Sequence, residues 1–102
     1  MRPPLDVEVS RKGGATVVRP QGELDMATVP ALREALAGRH GPVILDTSGI
    51  EFIDGCGLHL LVEADARARQ DGMDLMLLPG PVVERLLGLT GVRDRFSIRE
   101  NP

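Results

Sequence analysis

Cys56 and His59 lie three residues apart, at the start of the stretch that reads as the longest helix, about Gly55 to Gln70. That spacing sets a thiol and an imidazole on one helix face. A helix N-terminus favours an anion and the imidazole is an available base, so the pair has the parts of an activated nucleophile. The competing reading is a small thiol at a tightly packed helix start, with His59 on a solvent-facing stripe. The sequence favours the second, because nothing supplies an oxyanion hole or a substrate pocket. Glu51 and Asp54 form a carboxylate pair, but three apart around a loop is also what capping and solvation require. Asp54-Gly55-Cys56-Gly57 lacks the spacing, the lysine and the closing hydroxyl of a phosphate-binding loop. The stretch Asp46 to Leu58 nevertheless concentrates three carboxylates, two hydroxyls and the only thiol of the chain.

The elements that must position this stretch follow from periodicity. Leu5 to Ser10 alternates apolar and polar, the pattern of a strand with one wet face near a sheet edge. Arg11-Lys12-Gly13-Gly14 reads as a hairpin turn and Ala15 to Pro20 as the returning strand. Gln21 to Asp25 reads as a polar loop. A helix then runs to about Ala37, capped by Thr28 or, if it starts earlier, by Asp25, with Pro30 tolerated in its first turn. Val29, Leu32, Ala35 and Leu36 form its apolar face, and Gly38 suits its left-handed end. Pro42 to Asp46 is a continuous apolar strand, as expected of a central parallel strand.

The long helix is expected to bury Leu58, Leu61, Val62, Ala64 and Ala68. It exposes His59, Glu63, Arg67 and Gln70, with Glu63 and Arg67 in the favourable i, i+4 order. Met73 to Leu78 is another strand. Pro79-Gly80-Pro81 opens a third helix, Val82 to Leu89, with Val83, Leu86 and Leu87 available for burial. Thr90-Gly91-Val92 reads as a glycine cap. Phe96-Ser97-Ile98 is a last short strand before a polar tail. The order β-β-α-β-α-β-α-β predicts an α/β fold: a mixed sheet, mainly parallel with an antiparallel N-terminal hairpin, packed by helices. Residues 1–102 show no repeat and no linker, so one domain is expected.

Composition narrows the function classes. The chain has 102 residues with 42% apolar residues but only 2% aromatic, Phe52 and Phe96. Stacking of nucleobases needs aromatic faces that are missing here. The formal net charge of −3 and the absence of a Lys/Arg run argue against nucleic acid as a partner. One cysteine allows no internal disulfide and no cysteine-rich zinc site, so no metal or other cofactor is expected. The N-terminus, Met1 to Asp6, has no apolar signal region, and no segment reaches membrane-span length. A soluble cytoplasmic protein with no direct membrane contact is expected. The loop Gln21 to Asp25 and the turn Asp54 to Gly57 each follow a strand and precede a helix. In a parallel arrangement they emerge on one sheet edge, where ligand and partner sites gather.

These segments resemble the STAS domain, the family of sulfate transporter tails and bacterial anti-sigma factor antagonists. The resemblance rests on Gly22-Glu23-Leu24-Asp25, on Val43-Ile44-Leu45-Asp46 leading to Phe52-Ile53-Asp54, and on Gly57-Leu58 opening the second helix. Pro81-Val82-Val83 through Leu86 and Thr90-Gly91-Val92 extend it over nearly the whole chain, in order and spacing. It implies a non-enzymatic binding module similar to the anti-anti-sigma proteins of partner switching. Those bind an anti-sigma factor that is itself a kinase, and phosphorylation at the second helix start ends the binding. The implied partner-binding residues are Glu23, Asp25, Asp54, Gly55, Cys56, Gly57 and His59. A weak homodimer is a further expectation.

The chain departs from the family pattern at one position. Where the family carries a phosphorylatable serine or threonine, this chain has Gly55, which offers no hydroxyl and no mimic of a phosphate. The usual switch is therefore expected to be absent. Cys56, Ser48 and Thr47 are the alternative modification sites. Two other readings stand beside this one. A soluble STAS subunit of a membrane lipid-transport ABC system would pull down an ATPase subunit. A redox sensor built on Cys56 would show an activated thiol on alkylation against pH.

Overall fold

The computed structural model describes residues 4–99. Met1 to Pro3 and the polar tail from Glu100 lie outside the described residues. β1 (Leu5–Lys12) and β2 (Ala15–Leu24) form the N-terminal hairpin in antiparallel register, closing on Lys12 opposite Ala15. Gly13 and Gly14 make the tight turn at φ 57° and 82°, conformations that a side chain disfavours. α1 (Val29–Leu36) leads to β3 (Val43–Asp46), which pairs parallel with β2. After β4 (Gly49–Ile53) comes α2 (Gly55–Gln70), then β5 (Leu75–Leu78) parallel to β3, and α3 (Pro81–Thr90). The path across the sheet is β1-β2-β3-β5, with β4 also paired to β2. The expected mixed, mainly parallel α/β sheet is what forms.

Four expectations need correction. The loop read at Gln21 to Asp25 is mostly the end of β2. It opposes β4, a strand hidden inside what read as one loop; its partners run from Gln21–Gly49 to Leu24–Ile53. β3 and β4 thus lie in succession along the same edge of β2, joined by a turn in which Ile50 N–H donates to Thr47 O at 3.1 Å. The last strand shrinks to a single parallel bridge, Leu77 with Ile98, preceded by a short 3-10 turn at Arg93–Arg95. On α2 the deepest leucines are Leu60 and Leu61, with Leu58, Val62 and Ala64 only half-buried. On α3, Val83 and Leu87 are buried while Leu86 is half-buried.

The main core joins the sheet to its helices through Val18, Leu24, Leu32, Val43, Leu45, Leu60, Leu61, Val83 and Leu87. Successive residues of β3 point to opposite faces, and Ile44 packs with Ala15 and Leu78 in a second cluster. Both faces of β3 are therefore covered, as its unbroken apolar run requires.

The ion pairs also differ from the sequence pattern. Glu63 pairs with Arg33 of α1 at 3.4 Å rather than with Arg67. Asp65 is buried and pairs with Arg69 at 3.0 Å. Burial pushes the Asp65 carboxyl above its ordinary pKa, opposed by Arg69 and by the Ser97 N–H. Arg69 donates in turn to Arg95 O, so this pair fastens the C-terminal segment to α2.

Candidate docking face

β2 and β4 run parallel and end side by side, at Leu24 and Ile53. Asp25 follows one strand and Asp54 the other. Each carboxylate caps the turn after it. Asp54 Oδ1 accepts from Gly57 N–H at 3.0 Å, in extended backbone that marks the N-cap of α2. Asp25 Oδ1 accepts from the N–H groups of Ala27 and Thr28, at 3.0 and 3.1 Å. Thr28 ties that turn down, donating its hydroxyl to Glu23 O at 2.7 Å. α1 starts at Val29 with Thr28 in the N-cap position, as expected, but Thr28 makes no side-chain cap, and Asp25 instead organises the turn before the helix.

The two strand ends are locked to each other. Asp54 N–H donates to Leu24 O at 3.2 Å. Gly57 is buried at the same contact, where a Cβ would lie 2.7 Å from Leu24 O and 2.7 Å from Ile53 Cγ1. Gly57 therefore shapes the turn from beneath rather than presenting a surface. Gly55 is its opposite. It is exposed, its φ is not left-handed, and a Cβ there would meet nothing within 4 Å.

Between the starts of α1 and α2 lies an open groove of about 350 Å³, lined by Met26, Val29, Pro30, Arg33, Gly55, Cys56 and His59. Glu23, Cys56 and His59 are exposed, and Asp25 and Asp54 are half-buried by their caps. Cys56 and His59 share the groove, but among the described residues no hydrogen bond joins them. The carboxylates at its head are engaged in capping. His40, the other histidine, is exposed before β3, at the opposite end of the parallel strands.

Two residues of this region were not singled out by sequence. Met26 is 75% exposed and Phe52 50% exposed, large apolar side chains beside the capped turns. Their sequence signal was weak: each has a carboxylate on one side and an apolar residue on the other, Asp25 and Ala27 for Met26, Glu51 and Ile53 for Phe52.

Thr47 and Ser48, in the turn between β3 and β4, divide sharply. Ser48 is exposed, and Arg19 donates to its hydroxyl at 3.5 Å. Thr47 is wholly buried; its hydroxyl donates to Leu78 O at 3.0 Å and accepts from Gly80 N–H at 3.2 Å. A kinase has no access to that hydroxyl in the folded chain. Thr47→Val keeps the volume but leaves Gly80 N–H without its acceptor in a buried place. The expected loss is about 1–3 kcal/mol of stability, read by denaturant unfolding.

Among the described residues, no cluster of His, Cys, Asp and Glu could hold a metal ion, and no helix is long and apolar enough to cross a membrane. The STAS domain model matches residues 6–102. The chain is 28% identical over 98 residues to the anti-sigma-F factor antagonist RsfB of Mycobacterium tuberculosis, covering 92% of this chain and 80% of that one. It is 29% identical over 102 residues to the anti-sigma-B factor antagonist of Staphylococcus epidermidis, covering 94% of each. An anti-sigma factor antagonist from Mycobacterium paratuberculosis superposes with a TM-score of 0.78 at 26% identity, over 95% of this chain and 86% of its own. The capped Gly-Glu-Leu-Asp turn, the mixed sheet and the glycine-opened second helix are thus parts of one recognised unit, and the chain belongs to the STAS domain family.

Proposed function

We propose that this chain is a non-catalytic regulator that antagonises an anti-sigma factor by binding it through the face built on Asp25, Asp54 and the start of α2. Its partner is an anti-sigma factor of the kinase type, and the encounter takes place in the cytoplasm. Glu23, Cys56, His59 and the apolar pair Met26 and Phe52 supply the contact surface, with Gly57 holding the turn in place. Aromatic residues and methionine are enriched at the cores of protein interfaces relative to the rest of the surface. Weak self-association is part of the same reading.

The observation that carries the regulatory half is Gly55. It occupies the first residue of α2, open to solvent on every side that a Cβ would probe, and it has no hydroxyl. A phosphate cannot be placed there, so the chain stays in its binding-competent form. The test combines the purified chain with its anti-sigma factor, ATP and magnesium. The expected result is a stable complex and an unchanged intact mass. Stoichiometric phosphorylation at any residue overturns the permanently competent reading. Absence of a complex overturns the choice of partner, and recovery of a transporter ATPase from the native host replaces it.

Cys56 offers a second input, because it is exposed and lines the groove. Alkylating it adds bulk where the partner sits. Binding is expected to weaken by ~10-fold or more, as for truncation or blockage of a central contact. Titration calorimetry before and after alkylation reads this directly, and unchanged affinity removes Cys56 from the contact surface.

A further inference from the structure

β1 leaves one edge of the sheet open. Pro4 O accepts from Glu23 N–H at 2.8 Å, and the hairpin closes on Lys12 opposite Ala15. The even-numbered residues of β1 therefore turn their backbone groups toward β2, and Val7, Val9 and Arg11 turn theirs outward. Among the described residues no strand pairs with that side. Neither a proline nor a bulge interrupts β1 there, although those are common protections of an edge. Its charges are sorted instead: Asp6 and Glu8 in the first half, Arg11 and Lys12 in the second. Sorted charges do not repel an antiparallel copy of the same strand; they match it.

We infer that the open edge of β1 pairs antiparallel with β1 of a second copy, about a two-fold axis at Val9. A two-fold axis between antiparallel strands runs perpendicular to the sheet, so opposed residues share a face and both helix layers lie on one side. An axis at Glu8 would set Glu8 against itself. An axis at Ser10 would set Val7 opposite the Gly13 turn and shorten the ladder. The axis at Val9 sets Val9 against Val9, Val7 against Arg11 and Asp6 against Lys12, each cross-pair made twice. Val7, Val9 and Arg11 then offer outward backbone groups to one another in register.

The surroundings leave room for this. Glu8 to Lys12 are exposed, and burial on β1 is confined to Leu5 and, partly, Val7. Antiparallel pairing sets each covered end beside the partner's bare end, so the helices are staggered. The docking turns sit at the strand ends and point in opposite directions, free to bind. This inference specifies the self-association proposed above and is independent of the anti-sigma reading.

Analytical ultracentrifugation of the whole chain from micromolar to millimolar concentration tests it. The wild type is expected to show a weak, salt-sensitive dimer. Lys12→Asp and Asp6→Lys each turn two attractive pairs into repulsive ones and should weaken it by ~10-fold or more. Mixing the two variants restores every pair, so a heterodimer of about wild-type affinity should form. A chain monomeric throughout overturns self-association itself. A dimer indifferent to the reversals, or no recovery on mixing, overturns this surface alone. Circular dichroism confirms that the variants fold, and anti-sigma factor binding by each is measured separately.

Discussion

Gly55→Ser is expected to make this chain a substrate of its anti-sigma factor kinase, and phosphorylation is then expected to release the kinase. The structure raises no obstacle to the side chain. Gly55 has ordinary helical backbone, and the added Cβ meets no atom within 4 Å. The unmodified variant should bind within a few-fold of wild type. Phosphate changes that contact in two ways. It brings about −1.5 to −2 charges to a turn already flanked by Asp25 and Asp54. It also fills space at the head of the groove, where the partner must displace water. Burying or opposing such a charge costs several kcal/mol, so affinity should fall ~100-fold or more. Intact mass after incubation with kinase and ATP reads the modification, and calorimetry on the purified phosphoprotein reads the loss. A phosphoprotein that binds as tightly as the unmodified variant would separate Gly55 from the docking surface.

Features fixed by local chemistry are legible in the sequence. Gly13-Gly14 had to turn, Val43-Ile44-Leu45 had to be covered on both faces, and Gly91 had to end α3. Asp54 could be placed at the head of α2 because capping depends on a few consecutive residues. What stayed hidden depends on distant partners. Gly49 to Ile53 is a strand only because β2 runs on to Leu24 and offers it an edge. Its own pattern, with Glu51 and Phe52 both exposed, has no clean alternation to read. Leu60 is core and Leu58 is only half-buried because α2 is rotated by what packs against it, namely α1, β4 and β5. Glu63 turns from Arg67 to Arg33 because α1 lies across it. The assembly of Asp25 and Asp54 on one sheet edge was legible from parallel topology. Met26 and Phe52 needed the exposures that only the folded chain supplies. The two glycines beside Cys56 were the least distinguishable, since sequence records a missing Cβ and not what would have met it.

Gly57→Ala should therefore damage the protein while Gly55→Ala should not. At position 57 the new methyl would lie 2.7 Å from Leu24 O, 2.7 Å from Ile53 Cγ1 and 3.0 Å from Leu24 Cγ. One of those contacts is backbone and cannot rotate away. It is also the carbonyl that receives Asp54 N–H, so relieving the clash pulls on the bond joining the two strand ends. Overpacking of this kind costs about 1–3 kcal/mol. For a domain of this size each kcal/mol lowers the melting temperature by roughly 4–8 °C. Affinity for the anti-sigma factor should fall as well, because displacing the start of α2 moves Asp54, Cys56 and His59 together relative to Asp25. At position 55 the methyl meets nothing, and alanine's better helix propensity, up to ~1 kcal/mol over glycine, makes that variant neutral or slightly more stable. Thermal melts of the two variants beside wild type decide the matter. Equal melting temperatures would mean that α2 can lift from Leu24 at no cost, and the docking face would then not be held rigid from beneath.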